Sequence, residues 1–597
     1  MIDIEQLTRI LPDVRKPARY IGGEWNAIKK DLSNVDVSIA LAYPDTYEIG
    51  MSNLGFNILY DIVNKRPFAL AERVYTPWTD MEEALRQNGI ALFSLESKTP
   101  LKEFDAIGFT LQHEMNYTNI LTMLDLANIS LLSVERNADD PLIIAGGPCA
   151  FNPEPLADFI DVFAIGDGED LVVEVLEVIK RWKKSGRSKS GSKSFLLEEL
   201  TVLDGIYVPS LKTSSTPVRR RFVEDLESYA PPETPVIPYT GVIHDRYAVE
   251  IMRGCTRSCR FCQAGMIYRP VRERSGKSIK ESIIKGLRAT GYNDVSLVSL
   301  SSSDHSDILS ITREVSDVLR PEGISVSLPS LRMDSFSVGM ASEAKNSYQS
   351  SLTFAPEAGT QRLRDIINKN ITDEDLNATV EAAFRAGFTR VKLYYMIGLP
   401  YETYDDLDGI IEAANRVRRM AMDTIPRKMH NRVTITVNVA AFIPKPHTPF
   451  QWIGQESLKD LDDKIDYLRK RIRMPHIKFK WHDTRMAKIE AMLARGDRDL
   501  GRAILAAWRE GCRFDSWDEQ LDYGKWQRAL ESCGIDIDER SERRFGLDEV
   551  LPWDVIDCGV SKEFLKEEHK KASNGSKTPD CRVGPCSACG LSCKRSE

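Results

Sequence analysis

Seven of the eleven cysteines fall into two tight groups. Cys255, Cys259 and Cys262 lie in R-G-C-T-R-S-C-R-F-C-Q-A-G, and Cys581, Cys586, Cys589 and Cys593 lie in C-R-V-G-P-C-S-A-C-G-L-S-C. In a reducing cytosol, thiols spaced this closely point to metal ligation or catalysis before disulfides. Three thiolates in eight residues cannot close a four-coordinate zinc site, and no fourth ligand lies adjacent. The tail supplies four thiolates, enough to close a site, and zinc or a second [4Fe–4S] cluster is chemically adequate there. Cys149, Cys512, Cys533 and Cys558 are scattered and read as small apolar packing residues.

The elements that must position these thiols are those of a large globular chain. Its 597 residues imply several domains or one multi-lobed unit. With 42% hydrophobic and 28% charged residues, the composition excludes a disordered, collagen-like or disulfide-scaffold chain. The net charge of −8 gives no reason to expect non-specific nucleic-acid binding, leaving room only for a local basic patch. No apolar run reaches the roughly 18 residues of a membrane helix. The acidic start M-I-D-I-E-Q-L lacks a signal-peptide pattern, so a cytoplasmic protein without membrane contact is expected.

Short apolar runs alternate with helical periodicity through the first 170 residues: 35–43, A-L-F-S-L, A-I-G-F-T-L, P-L-I-I-A-G-G and D-V-F-A-I-G. That alternation predicts a parallel α/β sheet. Residues 180–194 carry seven Lys/Arg among Ser and Gly, and read as a solvated insertion or, less simply, an RNA contact. From 247 the alternation resumes with six strands: Y-A-V-E-I-M, V-S-L-V-S-L, I-S-V-S-L, S-L-T-F-A, V-K-L-Y-Y-M-I and T-I-T-V-N-V. Six strands are about three quarters of an eightfold barrel, and the cysteine triad follows the first, on the face where such barrels do chemistry. Beyond 457 the pattern is helical except for H-I-K-F-K-W, whose alternation reads as an edge strand. Residues 464–488 carry nine Lys/Arg with interleaved aromatics, a pattern that also suits RNA.

The C-x-x-x-C-x-x-C spacing, with Phe261 before the last Cys, resembles the radical S-adenosylmethionine (SAM) enzymes. The resemblance implies that the triad holds a [4Fe–4S] cluster whose free iron binds SAM. An electron from the reduced cluster would then release a 5′-deoxyadenosyl radical. An electron donor such as flavodoxin or ferredoxin is implied too. By the same resemblance, Ser302 in S-L-S-S-S-D stands where the family has a Gly-rich SAM contact. Glu357 in A-P-E-A-G-T matches the acid that contacts the SAM ribose; a helix N-terminal acid is the structural alternative. Ile397 and Gly398 match the adenine-side segment. The stretch 442–452, F-I-P-K-P-H-T-P-F-Q-W, resembles the methylthiotransferase branch, with His447 as a substrate contact or a turn residue.

The α/β lobe ahead of the barrel resembles the cobalamin-binding domain of a radical SAM subclass. Asp45 to Gly50 align with its D-x-H-x-x-G pattern, with Tyr47 in place of the His, so a His lower ligand is not expected. Gly146, Gly147 and Gly166 match its Gly-rich loops, where close backbone approach is needed; a lobe that binds nothing is the alternative. With the L-P-W-D-V-I-D stretch and the Cys tail, the whole chain resembles a bacterial group of such proteins. The expected architecture is α/β: a Rossmann-like cobalamin-binding-like domain at 1–200, a linker at 201–240, and a partial (β/α)6 TIM-like barrel at 241–455. A mostly helical region at 456–570 and a Cys-rich metal-binding tail at 571–597 follow. The expected function is SAM cleavage with methylation or methylthiolation of an RNA or protein target. The contrasting reading is a non-catalytic cobalamin- or metal-sensing RNA-binding adaptor.

Overall fold

A computed structural model describes residues 2–185, 193–211, 216–329, 332–333 and 351–591. The first lobe is built on six strands: β1 (Val37–Tyr43), β2 (Ala69–Tyr75), β3 (Ala106–Thr110), β4 (Leu142–Gly146), β5 (Val162–Ala164) and β6 (Ile206–Tyr207). They stand in the order β2-β1-β3-β4-β5-β6, all parallel except β6. One face buries Ile39 and Leu41 against helices Leu54–Asn64 and Glu169–Lys184. The other packs Ala40, Ile107 and Ile143 on Tyr117–Leu126 and on the late helices Thr484–Arg495, Leu500–Arg509 and Tyr523–Cys533. Each run is buried on both faces, so it reads as continuous apolar sequence.

Two expectations for this lobe are corrected. A-L-F-S-L, residues 91–95, is not a strand of the sheet; it runs past the edge, where Leu95 N–H donates to the Arg73 carbonyl at 2.8 Å. The strand in that neighbourhood is β2, whose apolar pattern is broken by Glu72 and Arg73. Arg73 is fully buried between Glu24 (2.9 Å) and Glu96 (2.6 Å). The basic segment from Lys180 begins as the last turn of a helix. Lys183 pairs with Asp105 at 2.6 Å and Lys184 with Asp36 at 2.9 Å, while residues 186–192 lie outside the described residues.

Among the described residues the barrel region carries the six expected strands and one more: β7 (Tyr247–Glu250), β8 (Asp294–Val298), β9 (Ser325–Ser327), β10 (Leu352–Glu357), β11 (Arg390–Ile397), β12 (Thr434–Ala441) and β13 (Ile477–Trp481). Parallel pairing runs β9-β8-β7 and β10-β11-β12-β13. The extra strand β13 is H-I-K-F-K-W, paired on one side only. Val391, Leu393, Ile435 and Val437 point outward into helices Tyr404–Thr424 and Leu458–Arg471, so the alternate residues face the lumen. Among the described residues no helix is long and apolar enough to cross a membrane.

Candidate functional site

β7 hands the chain to the loop bearing Cys255, Cys259 and Cys262. At its base Met252–Arg253 pairs antiparallel with Arg272–Glu273. Gly254 takes φ +91°, and a Cβ there would lie 2.4 Å from the Pro270 carbonyl oxygen, so a side chain is excluded. Ser258 is buried at φ +59° and accepts from the Arg269 guanidinium at 2.7 Å, while Arg269 Nε donates to Gly265 O at 2.9 Å. The Gly265 N–H points at Cys262 Sγ, 3.4 Å away, a contact that stabilises a ligating thiolate. Burial, then the neighbouring thiols Cys259 and Cys255, push the Cys262 thiol up to about 12, and burial with Cys259 raises Cys255.

Cys255 and Cys262, both raised by burial and by the neighbouring thiol Cys259, gain from a cation shared within the triad. Among the described residues their Sγ atoms do not converge within 4.8 Å, as ligands of one ion would. Around a tetrahedral zinc, sulfurs at ~2.3 Å from the metal stand under ~4 Å apart. Cys262 lies within electrostatic reach of both Cys259 and Cys255, so the three thiols form one donor set, of the kind a multi-iron cluster takes.

Phe261 packs against the group of Leu363, Ile366, Phe442 and Phe450, with the Lys369 ammonium 6.0 Å from its ring centroid. Lys369 pairs with Glu357 at 3.1 Å. Burial pulls the Lys369 pKa down, but Glu357 and Cys259 outweigh it and the net shift is upward. Glu357 holds φ +68° at the end of β10, so the acid sits beside the triad loop rather than at a helix N-terminus.

The C-terminal segment grips the same loop. Thr256 Oγ1 donates to Asp580 at 2.6 Å, and Asn368 Nδ2 donates to the carbonyls of both Ser258 (3.1 Å) and Thr578 (3.0 Å). Arg260, fully buried, reaches Glu568 (3.1 Å), the Ser576 carbonyl (2.6 Å) and the Ile366 carbonyl (2.7 Å). Cys581 follows directly. Burial raises its thiol pKa, the Arg269 guanidinium opposes that, and Asp580, Cys589 and Cys586 add to the rise. Cys589 is buried and Cys586 exposed; Cys593 lies outside the described residues.

A cavity of about 460 Å³ opens between the lobes. It is lined by Gly146, Gly147 and Gly166 at the strand ends of the first sheet, by Val172 and Leu176 of the helix behind, and by Glu250, Arg253 and Ser299 of the barrel. Carboxyl ends of parallel strands are the usual place for a ligand in such sheets. Arg253 bridges the walls, meeting Asp167 at 3.0 Å and Glu169 at 2.6 Å.

The structure does not bring every sequence candidate to this place. Asp45 is buried with its carboxylate on the Trp517 indole N–H (3.0 Å), and a Cβ on Gly50 would strike the Tyr75 ring; neither lines the cavity. The Tyr47 hydroxyl donates to Glu24 at 3.0 Å. Ser302 is buried and donates to the Leu297 carbonyl at 3.0 Å; its neighbours Ser299 and Leu300 line the cavity instead. Ile397 faces the outer helices, and Gly398 takes φ +72° with its N–H on Glu402 at 2.8 Å. His447 is a buried turn residue at φ +58°, its Nε2 2.9 Å from the Phe151 carbonyl oxygen of the first lobe.

Sequence reasoning missed Asp580, whose partner Thr256 lies 324 positions away, and it missed Lys369, Arg269 and Lys445, whose pairing follows no motif spacing. The Lys445 ammonium sits 2.8 Å from both Glu114 and Glu490, and His113 reaches Glu490 at 3.1 Å. His113, Glu114 and Glu490 converge like metal ligands, but the ammonium among them already supplies the positive charge.

Comparison with known proteins follows the same outline. Residues 55–209 match the family model described as "Radical SAM proteins, N-terminal", and residues 249–414 match "Radical SAM superfamily". An uncharacterized protein of Methanocaldococcus jannaschii is 28% identical over 83% of this chain and 98% of its own length. An uncharacterized methyltransferase of Pyrococcus horikoshii is 23% identical over 49% of this chain and 62% of its own. Among solved structures, the radical SAM methyltransferase TsrM from Kitasatospora setae, with tryptophan and a SAM analog bound, aligns at TM-score 0.45. It is 12% identical, over 69% of this chain and 74% of that one. A likeness of that extent decides neither ligand nor reaction.

Proposed function

The chain belongs to the radical SAM superfamily, and from that premise we propose that it transfers a methyl group to a macromolecule at the mouth of its partial barrel. It is a radical SAM enzyme, and the [4Fe–4S] cluster, when bound, supplies the electron that cleaves SAM to methionine and a 5′-deoxyadenosyl radical. Cys255, Cys259 and Cys262 hold that cluster, the Gly265 N–H supports one thiolate, and Phe261 with Lys369 shields the side toward the lumen. Glu357, kept by Lys369, is the acceptor available to a pair of ribose hydroxyls.

The observation that carries methyl transfer is the cavity whose walls come from both lobes: glycine turns on one side, the ends of β7 and β8 on the other. Its glycine-lined, largely apolar cradle suits a broad flat ring such as a corrin, and cobalamin bound there supplies a transferable methyl group. The name of the Pyrococcus horikoshii relative supports the same reaction class. The target is an RNA or a protein, with flavodoxin or ferredoxin as electron donor. Cys581, Cys586 and Cys589, with Cys593, hold zinc or a second cluster. A second cluster there would favour methylthiolation instead.

The test is anaerobic reconstitution, reduction with dithionite and chromatography for 5′-deoxyadenosine. A protein with a verified cluster that leaves SAM intact would overturn the assignment. Iron at about four against about eight atoms per chain separates one cluster from two. Zinc and corrin content of the same sample decide the tail and the cavity.

A further inference from the structure

The inner face of the barrel is not neutral. Arg390, Lys392 and Tyr394 alternate along β11 and project away from the helices, as do Lys478 and Lys480 on β13. Register aligns them in rows: Lys392 beside Thr436 beside Lys478, then Tyr394 beside Asn438 beside Lys480. Strands stand ~4.8 Å apart and successive same-face residues ~6.6 Å apart, so the cations form two lines on either side of β12, ~10 Å from each other. All four are exposed, and none has a carboxylate partner among the described residues. Across the lumen Glu250 and Asp294 are held by Arg253 (2.8 Å) and Arg246 (3.5 Å), so the uncommitted charge is positive.

Two further observations point to a ligand. Asn438 Nδ2, in the middle of the upper row, is buried without a hydrogen-bond partner. Tyr394 is 38% exposed inside a barrel whose opposite strand face is sealed. The lane also leads somewhere: Met396, next on the same face of β11, packs in the same apolar group as Phe261 of the triad loop.

We infer that this lane binds the sugar–phosphate backbone of a single-stranded nucleic acid and leads one nucleotide up to the triad. Cations on a strand lattice meet successive phosphates, Tyr394 offers a ring on which a base stacks, and the orphan amide of Asn438 meets an acceptor. An acidic peptide would satisfy the cations but would leave the exposed ring without a use. The inference rests on the radical SAM reading for what happens to the nucleotide, but not for binding itself.

The experiment is fluorescence anisotropy of the reconstituted full chain with a labelled oligouridylate at several KCl concentrations. Binding should weaken steeply with salt. K478A/K480A should weaken it about tenfold and flatten the log–log salt slope by about 1.4, near 0.7 per lost phosphate contact. K459A/K470A, removing two exposed lysines from the outer helix, should leave binding as it was. Overturning results are an unchanged affinity in K478A/K480A, equal loss in K459A/K470A, or competition by a polyglutamate peptide or by UMP as effective as by the oligomer. Nucleic-acid binding without any 5′-deoxyadenosine would sink the catalytic reading and leave this one standing; SAM cleavage without binding would do the reverse.

Discussion

Thr256 and Asp580, 324 positions apart, are joined by a 2.6 Å hydrogen bond between the triad loop and the residue before the first tail cysteine. Arg257 stands 3.4 Å from the same carboxylate. Removing the acid leaves a buried hydroxyl without its acceptor, which costs about 1–3 kcal/mol, concentrated in the loop. Asp580→Ala is therefore expected to fold yet release iron faster to a chelator than the parent. Iron retention followed by absorbance checks this, and equal release rates would remove the loop clasp from the account.

His447 gives stability a pH dependence. Burial holds its ring pKa down at about 4, against 6.5 in the open chain. Between those values the unfolded chain takes up a proton that the folded one refuses. The contribution is thus intact above pH 6.5 and is lost as pH falls toward 4, by up to about 3 kcal/mol at 1.36 kcal/mol per pH unit. His447→Gln, which keeps an amide for the Phe151 carbonyl, should show a shallower fall in urea midpoint over that window. Superimposable profiles would place the acid sensitivity elsewhere.

Lys445 is surrounded by acids. Glu114 and Glu490 outweigh burial and raise its pKa, so it stays charged at any ordinary pH. Lys445→Met leaves Glu114 and Glu490 facing each other with only the His113 ring beside Glu490, at a cost of about 3–5 kcal/mol. A fall of several degrees in apparent Tm is expected, partly restored in Lys445→Met combined with Glu490→Gln. No restoration would mean that the methylene stem, not the charge, matters at this position.

Val172 borders the interlobe cavity. Val172→Trp fills part of it and should abolish corrin uptake by protein purified from cobalamin-fed cells. Iron per chain should stay at the parent level. Corrin retained at full stoichiometry would move the cobalamin site out of this cavity.

How much of this was legible in the chain depends on sequence distance. The triad could be read because its ligands are close in sequence and follow a strand, and β13 because Ile477 and Phe479 alternate with Lys478 and Lys480. β2 could not, because Glu72 and Arg73 interrupt an otherwise apolar run and their buried partners lie elsewhere. Gly146, Gly147 and Gly166 reached the cavity from their turns, whereas Asp45 and Gly50, equally motif-like, are absorbed by packing against Trp517 and Tyr75. The lumen lane was hidden for a different reason. Lys392 and Lys478 are neighbours only once β12 lies between their strands.

Asp580, Thr578, Ser576 and Glu568 all brace a loop made more than 300 residues earlier. During synthesis the three triad thiols emerge long before the groups that hold their loop in place. Until they arrive the loop has only its local braces, Ser258 on Arg269 and the Gly265 N–H on Cys262, so the tail adds the last layer of support around the place the thiols share.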